Sequence, residues 1–137
     1  MIILDSTILI DLIRSQNSTK YKKAVAFLEE IEENGNDKVF ITFVSVLELK
    51  KGAYKSSNAA KAKESVDKVL KMLSVIEFED AYYDAYGEIS AELEKNGTPI
   101  GKFDELIAAI AIYNKSKLVT NNAKDFSRIP GLEIISH

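Results

Sequence analysis

The sequence predicts an α/β fold in which a mostly parallel sheet of four to five strands is flanked by helices on both faces. Short apolar runs rich in β-branched residues alternate along the chain with longer segments of helical spacing. With 137 residues, 46% of them hydrophobic, the chain fits a single domain, residues 1–137, around one core. We find no internal repeat, and the only linker-like stretch, 96–101, is too short to separate domains.

The chain begins with a predicted strand and two helices. The apolar run 2–4 ends at Asp5, and an apolar-spaced segment after it predicts a helix through Ile13. A second helix is predicted over 17–33, because apolar residues recur there at helical spacing and Gly35 can end it.

The middle of the chain repeats the alternation. The β-branched and aromatic run 39–42 predicts a second strand. A helix is expected to begin at Ser45 and reach about Tyr54, and another is expected over 58–73. The run 75–78 predicts a third strand.

The last third supplies two helices and two strands. Asp80 is expected to cap a long helix that the turn residues 96–99 end, with four residues on one face: Tyr82, Tyr86, Ile89 and Leu93. The nearly all-apolar segment 103–114 predicts a helix buried against the sheet. Residues 118–120 and 132–135 predict the fourth and fifth strands.

Composition limits the possible chemistry. The chain has no cysteine and a lone His137, which excludes disulfides, cysteine nucleophiles, thiolate zinc sites and a histidine-rich metal site. The apolar start resembles a signal peptide, but Asp5 and Asp11 interrupt it and no basic segment precedes it. We therefore expect a cytoplasmic protein without a membrane span.

Charge is unevenly placed. The net charge is −3, yet seven lysines stand between Lys50 and Lys71 against only Glu64 and Asp67. This basic stretch either holds a phosphate backbone beside an acidic site or is a solvated helix face.

Four acids stand at or near the ends of predicted strands or the start of a helix: Asp5, Glu48, Asp104 and Asp125. Ligand sites of parallel sheets lie at the carboxyl ends of the strands, so these acids are expected to converge. Two carboxylates ~4 Å apart repel by roughly 4 kcal/mol at an effective dielectric near 20. A hard divalent cation, Mg²⁺ or Mn²⁺, removes that repulsion.

Asp5 and Glu48 also have local explanations. Asp5 can cap the helix that follows it. Glu48 lies three residues after Ser45, which is the spacing of a capping box.

Asp104 and Asp125 are open to similar alternatives. Asp104 is favoured over its neighbour Glu105 as the pocket acid, because Glu105 sits about 100° further round the helix and is expected to reach solvent. Asp125 follows Thr120 through a polar segment that can be merely a turn.

Four segments together resemble the PIN-domain ribonucleases, and among them the VapC-type toxins of toxin-antitoxin pairs: ILDSTILIDLIR at 3–14, SVLEL at 45–49, GTPIGKFDELIAAIA at 97–111 and LVTNNAKDFSRIPGLEI at 118–134. They cover nearly the whole chain in the right order. The resemblance implies a PIN-like three-layer domain.

The resemblance also implies activity and partners. It implies an endoribonuclease whose Asp5, Glu48, Asp104 and Asp125 bind Mg²⁺ or Mn²⁺ and leave a 5′-phosphate. Supporting residues would be Ser6, Thr7, Thr120 and Asn122, the last standing where some relatives have an acid. A small antitoxin and a homodimer are implied as partners. Lys102, beside the pocket, either contacts phosphate or faces solvent.

Two other classes compete with the nuclease. A receiver-like signalling domain also binds Mg²⁺ on a parallel sheet, but it needs an adjacent acidic pair where this chain has Asp5-Ser6. A non-catalytic PIN-like module would use the acids only to bind a basic partner.

Overall fold

The computed structural model describes residues 1–35 and 37–136; Asn36 and His137, the last residue of the predicted domain, lie outside the described residues. Five strands form one sheet in the order β3-β2-β1-β4-β5, and every neighbouring pair is parallel. The strands are β1 (Ile2–Leu4), β2 (Val39–Thr42), β3 (Ser74–Ile76), β4 (Lys117–Thr120) and β5 (Ile134–Ser136). The predicted parallel α/β architecture is confirmed.

Seven helices are found among the described residues: α1 (Ser6–Leu12), α2 (Thr19–Asn34), α3 (Phe43–Lys55), α4 (Ala59–Met72), α5 (Ala81–Lys95), α6 (Lys102–Tyr113) and α7 (Ala123–Phe126). Within these residues, no helix combines the length and apolarity needed to cross a membrane. The short helix α7 was not predicted from the sequence.

Two hydrophobic layers hold the helices against the sheet. Successive strand residues point to opposite faces, so Ile3 packs with α5, α6 and α7 while Ile2 and Leu4 pack with α1, α2 and α4. Helix α3 contributes to both layers, through Val44 on one side and Leu49 on the other. The predicted three-layer arrangement is therefore present.

Local capping explains most helix boundaries and corrects two of our predictions. Helix α3 begins at Phe43 rather than Ser45, because the Thr42 hydroxyl at the end of β2 accepts the Ser45 N–H. Ser45 is therefore inside the helix, which rules out the capping box considered as an alternative role for Glu48. Asp80 stands at the start of α5 but makes no side-chain capping bond.

The order of the strands places the site. The chain moves outward from β1 to β2 and β3, then crosses back to the other side of β1 to form β4 and β5. Strand β1 thus lies where the direction of winding reverses, and the crevice at the carboxyl end of such a strand is the usual ligand site. Asp5 follows β1 directly at this position.

Candidate functional site

Asp5 lies in the centre of the site and is almost fully buried, with 2% of its surface exposed. Its Oδ1 accepts the Thr7 backbone N–H at 2.9 Å and the Thr7 hydroxyl at 2.5 Å. Its Oδ2 accepts the Thr120 hydroxyl at 2.5 Å, from the last residue of β4. The helix-capping role considered for Asp5 is therefore real, but it uses only one of the two oxygens.

The environment of Asp5 affects its protonation. Burial raises the pKa of Asp5, and the hydrogen bonds from Thr120 and Thr7 offset part of that rise. The two threonine hydroxyls thus favour the charged form of a carboxylate that the protein interior disfavours.

Glu48 faces the start of α1 from the second turn of α3. Ser6 Oγ donates to Glu48 Oε1 at 2.6 Å and lies 3.1 Å from Ser45 Oγ. The two hydroxyls beside Asp5 are therefore divided between two acids, with Thr7 bound to Asp5 and Ser6 to Glu48.

The pKa of Asp104 depends on the other three predicted acids. Burial, followed by the negative charges of Glu48, Asp5 and Asp125, raises the pKa of Asp104 to about 6; the charge of Glu105 adds a smaller rise. Carboxylates raise each other's pKa in this way only when they are near neighbours. The charges of the other three predicted acids therefore act on Asp104, and we refer to the four together as the acid pocket.

Glu105 contradicts the expectation that it reaches solvent, since only 4% of its surface is exposed. Its Oε2 accepts the backbone N–H groups of Ile100 at 3.0 Å and Gly101 at 3.2 Å, and its Oε1 accepts the Ser90 hydroxyl at 2.6 Å. Gly101, the N-cap residue just before α6, has no side chain to cap the helix. Glu105 does not replace that cap, but it accepts the two N–H groups just before the helix and so holds the first turn, which carries Asp104, against residues 100–101.

Asp125 lies in α7 and is partly exposed. Asn122 Nδ2 donates to Asp125 Oδ2 at 3.0 Å, and Arg128 forms an ion pair with Asp125 Oδ1 at 3.6 Å. Asn122 is therefore a hydrogen-bond donor to the fourth acid. In this role it also holds the β4–α7 turn, residues 121–122, against α7.

Two residues that the sequence analysis did not select take part in the site. Asn121 donates its backbone N–H to Thr7 Oγ1 at 2.9 Å and its side-chain amide to Asp11 Oδ2 at 3.1 Å. Asp11 is buried, with 5% of its surface exposed. A signal was present in the sequence, because Asp11 stands four residues after Thr7 and interrupts an apolar run on the same helix face.

The donor set suits a hard cation. Among residues 1–35 and 37–136, no group of three or more acidic or histidine side chains is spaced to hold a metal ion as it stands. Mg²⁺ does not need such a cage, since it usually keeps several waters and binds through one or two carboxylates. The raised pKa of Asp104 and the all-oxygen donors fit a site of this kind.

The basic stretch lies on α3 and α4. Lys50 pairs with Asp67 at 2.8 Å and Lys68 with Glu64 at 3.6 Å, while Lys63 lies 3.8 Å above the ring centre of Tyr54. These contacts within the stretch favour the solvated-face interpretation for those three lysines. Lys102 begins α6 and is exposed.

Comparison with known proteins agrees with the fold. A family model described as the PIN domain matches residues 2–132. The chain therefore belongs to the PIN domain family, and within it to the VapC ribonucleases. The resemblance inferred from the four sequence segments is confirmed.

The chain is similar over most of its length to bacterial VapC proteins. Ribonuclease VapC2 of Rickettsia felis is 39% identical over 97 residues, which cover 71% of this chain and 72% of the relative. The tRNA(fMet)-specific endonuclease VapC of Salmonella typhimurium is 34% identical over 109 residues, covering 77% and 83%. In the crystal structure of VapBC2 from Rickettsia felis bound to a promoter DNA fragment, one chain superposes with a TM-score of 0.85 at 33% identity, covering 100% of this chain and 99% of that one.

Proposed function

We propose that this protein is an endoribonuclease that hydrolyses RNA phosphodiester bonds at the acid pocket with Mg²⁺ or Mn²⁺. The observation that carries the proposal is the placement of Asp5, a buried carboxylate at the carboxyl end of β1 that the Thr7 and Thr120 hydroxyls hold in place. The raised pKa of Asp104, which burial and the charges of Glu48, Asp5 and Asp125 cause, supports it. The repulsion between these carboxylates destabilises the metal-free protein, and a bound divalent cation would relieve it. The names of the VapC relatives supply the reaction class.

In this proposal Asp5 and Asp104 hold the cation, while Glu48 and Asp125 complete its surroundings or orient water. The cation, when bound, stabilises negative charge on the phosphate and makes water more acidic. Thr7 and Thr120 keep Asp5 oriented and charged, and Ser6 holds Glu48 in place. Attack of water on phosphorus breaks the P–O3′ bond, leaving a 5′-phosphate and a 3′-hydroxyl.

We also propose that a small antitoxin partner binds this protein. The support is the similarity to VapC chains from structures of VapBC complexes, such as that of Rickettsia felis at 33% identity and that of nontypeable Haemophilus influenzae at 30%. We further propose that residues 1–137 act as one domain in the cytoplasm, where RNA substrate is available, and that the protein forms a homodimer.

The test is RNA cleavage by the purified protein with Mn²⁺, compared with Asp5→Asn. Asp84→Asn is the matched control, because it makes the same chemical change on an exposed acid of α5. We expect cleavage by the wild type and by the control, and none by Asp5→Asn or in excess EDTA. Equal rates for wild type and Asp5→Asn, or full activity in EDTA, would overturn the proposal.

A further inference from the structure

Asp11 is a buried carboxylate that the proposed reaction does not use. Its Oδ2 accepts the Asn121 side-chain amide at 3.1 Å, and its Oδ1 accepts Arg14 Nε at 3.2 Å. A buried charge is costly unless it is hydrogen-bonded, so these partners are needed to keep it in the fold. One of them, Asn121, belongs to the β4–α7 turn beside the acid pocket.

The β4–α7 turn controls the direction of the Thr7 hydroxyl. Asn121 N–H donates to Thr7 Oγ1 at 2.9 Å, while Thr7 Oγ1 lies 2.5 Å from Asp5 Oδ1. A hydroxyl has a single proton to donate. Because Thr7 Oγ1 accepts the Asn121 N–H, the Thr7 proton points to Asp5.

Asn122, the second residue of the turn, orients the Thr120 hydroxyl in the same way toward the other carboxylate oxygen of Asp5. Asn122 N–H donates to Thr120 Oγ1 at 2.9 Å, and Thr120 Oγ1 donates to Asp5 Oδ2 at 2.5 Å. Two consecutive backbone N–H groups thus each orient one threonine hydroxyl toward one oxygen of the same carboxylate. Hydrogen bonds in such chains polarise one another, which strengthens the final bond to Asp5.

We propose that Asp11 is a positioning residue for the acid pocket: by holding the Asn121 side chain, it fixes the β4–α7 turn so that the Asn121 and Asn122 amides direct Thr7 and Thr120 onto Asp5. The same turn is also bonded to α7, because Asn122 Nδ2 donates to Asp125 Oδ2. The Asp11–Asn121 bond joins a side chain of this turn to α1, beside the bond from the Asn121 N–H to Thr7. It therefore couples the first and fourth acids through one short segment.

The direct test is backbone amide exchange by NMR in the metal-free full chain, comparing wild type with Asp11→Ala and Asn121→Ala. We expect exchange at Asn121 and Asn122 to accelerate by roughly tenfold or more in either variant, because loss of the Asp11–Asn121 bond allows local opening. Asn121 is exposed and its variant keeps the backbone N–H, so Asn121→Ala tests the bond even where Asp11→Ala folds poorly. Asp84→Ala is the control for removal of an acid elsewhere, and it should leave both amides unchanged.

A second readout is Mn²⁺ affinity by calorimetry. Substituting a residue that orients a metal ligand typically lowers metal affinity by about 10- to 100-fold. We expect a loss of Mn²⁺ affinity of this size in each single variant. The double variant should lose no more than one single variant, because both changes break the same bond. Unchanged exchange at both amides in folded Asn121→Ala, or fully additive losses of affinity, would overturn the proposal.

This inference rests on the proposed function only for the Mn²⁺ readout. Amide exchange is measured without metal or RNA. Accelerated exchange with no Mn²⁺ binding by the wild type would therefore sustain the positioning role of Asp11 while contradicting the metal site.

Discussion

Ser6 Oγ donates to Glu48 Oε1 at 2.6 Å and thereby joins the start of α1 to the second turn of α3. This bond links the acid contributed after β2 to the helix that Asp5 caps. It also explains why the chain has two hydroxyl residues after Asp5, since Ser6 serves Glu48 and Thr7 serves Asp5.

Ser6→Ala should lower the rate of RNA cleavage by about tenfold, within the range for partners that orient metal ligands. The reason is that Glu48 loses the donor that holds its carboxylate. Ser6→Thr keeps a hydroxyl and is expected to retain most of the activity. The check is kcat and KM for a model RNA; identical kcat for wild type and Ser6→Ala would show that the bond does not matter for activity.

Asp104→Asn should stabilise the metal-free protein at neutral pH. The pKa of Asp104 is raised from 3.8 to about 6, so its charged form opposes folding above about pH 6. This destabilisation disappears as the pH falls from 6 toward 4, because Asp104 becomes protonated in the folded protein. After allowance for solvent screening of a partly exposed group, we expect a gain of about 1–2 kcal/mol at pH 7.5.

The measurement is urea unfolding of wild type and Asp104→Asn across pH. The stability difference between the two should shrink as the pH is lowered to 4. Mn²⁺ should raise the unfolding midpoint of the wild type by mass action and should not raise that of the variant. A difference in stability that stays constant from pH 7.5 to 4 would argue against the raised pKa.

Glu105→Ala should lower the free energy of unfolding. It removes the acceptor for the Ile100 and Gly101 N–H groups and for Ser90. An unsatisfied buried donor typically costs about 1–3 kcal/mol. These three donors are only partly buried, so we expect a total loss of about 1–3 kcal/mol. Urea unfolding checks this, with exposed Glu88→Ala as the control, and a loss below 1 kcal/mol would contradict the assigned role.

Asn122→Asp should increase the response to Mn²⁺ while destabilising the metal-free protein. The change replaces the amide that donates to Asp125 with a second carboxylate next to it. Like charges at this distance repel until a cation is bound. Thermal unfolding with and without Mn²⁺ tests this; an equal Mn²⁺ shift in wild type and variant would refute the expectation.

Much of the fold followed from local patterns in the sequence. The five strands were found from their short β-branched runs, and six helices from apolar spacing and turn residues. The boundary of α3 was misjudged because Thr42 was counted only as a strand residue, although its hydroxyl caps the helix. Thr42 itself was the usable signal, since threonine is among the preferred N-cap residues.

The site was less accessible from sequence, because its details depend on contacts between distant segments. Glu105 was expected to be exposed from its angle on the helix, but its carboxylate turns inward to accept the Ile100 and Gly101 N–H groups and the Ser90 hydroxyl. The bonds from Asn121 and Asn122 use backbone N–H groups, which every residue except proline has. No side-chain pattern reveals such bonds before the strands are placed side by side.

The most direct test of the central claim is to map RNA 5′ ends in cells after brief expression of the wild type beside Asp104→Asn. We predict new 5′-phosphate ends at defined positions with the wild type and none with Asp104→Asn. The same ends at the same frequency with both proteins, or no new ends with the wild type, would contradict the claim that the acid pocket cleaves RNA.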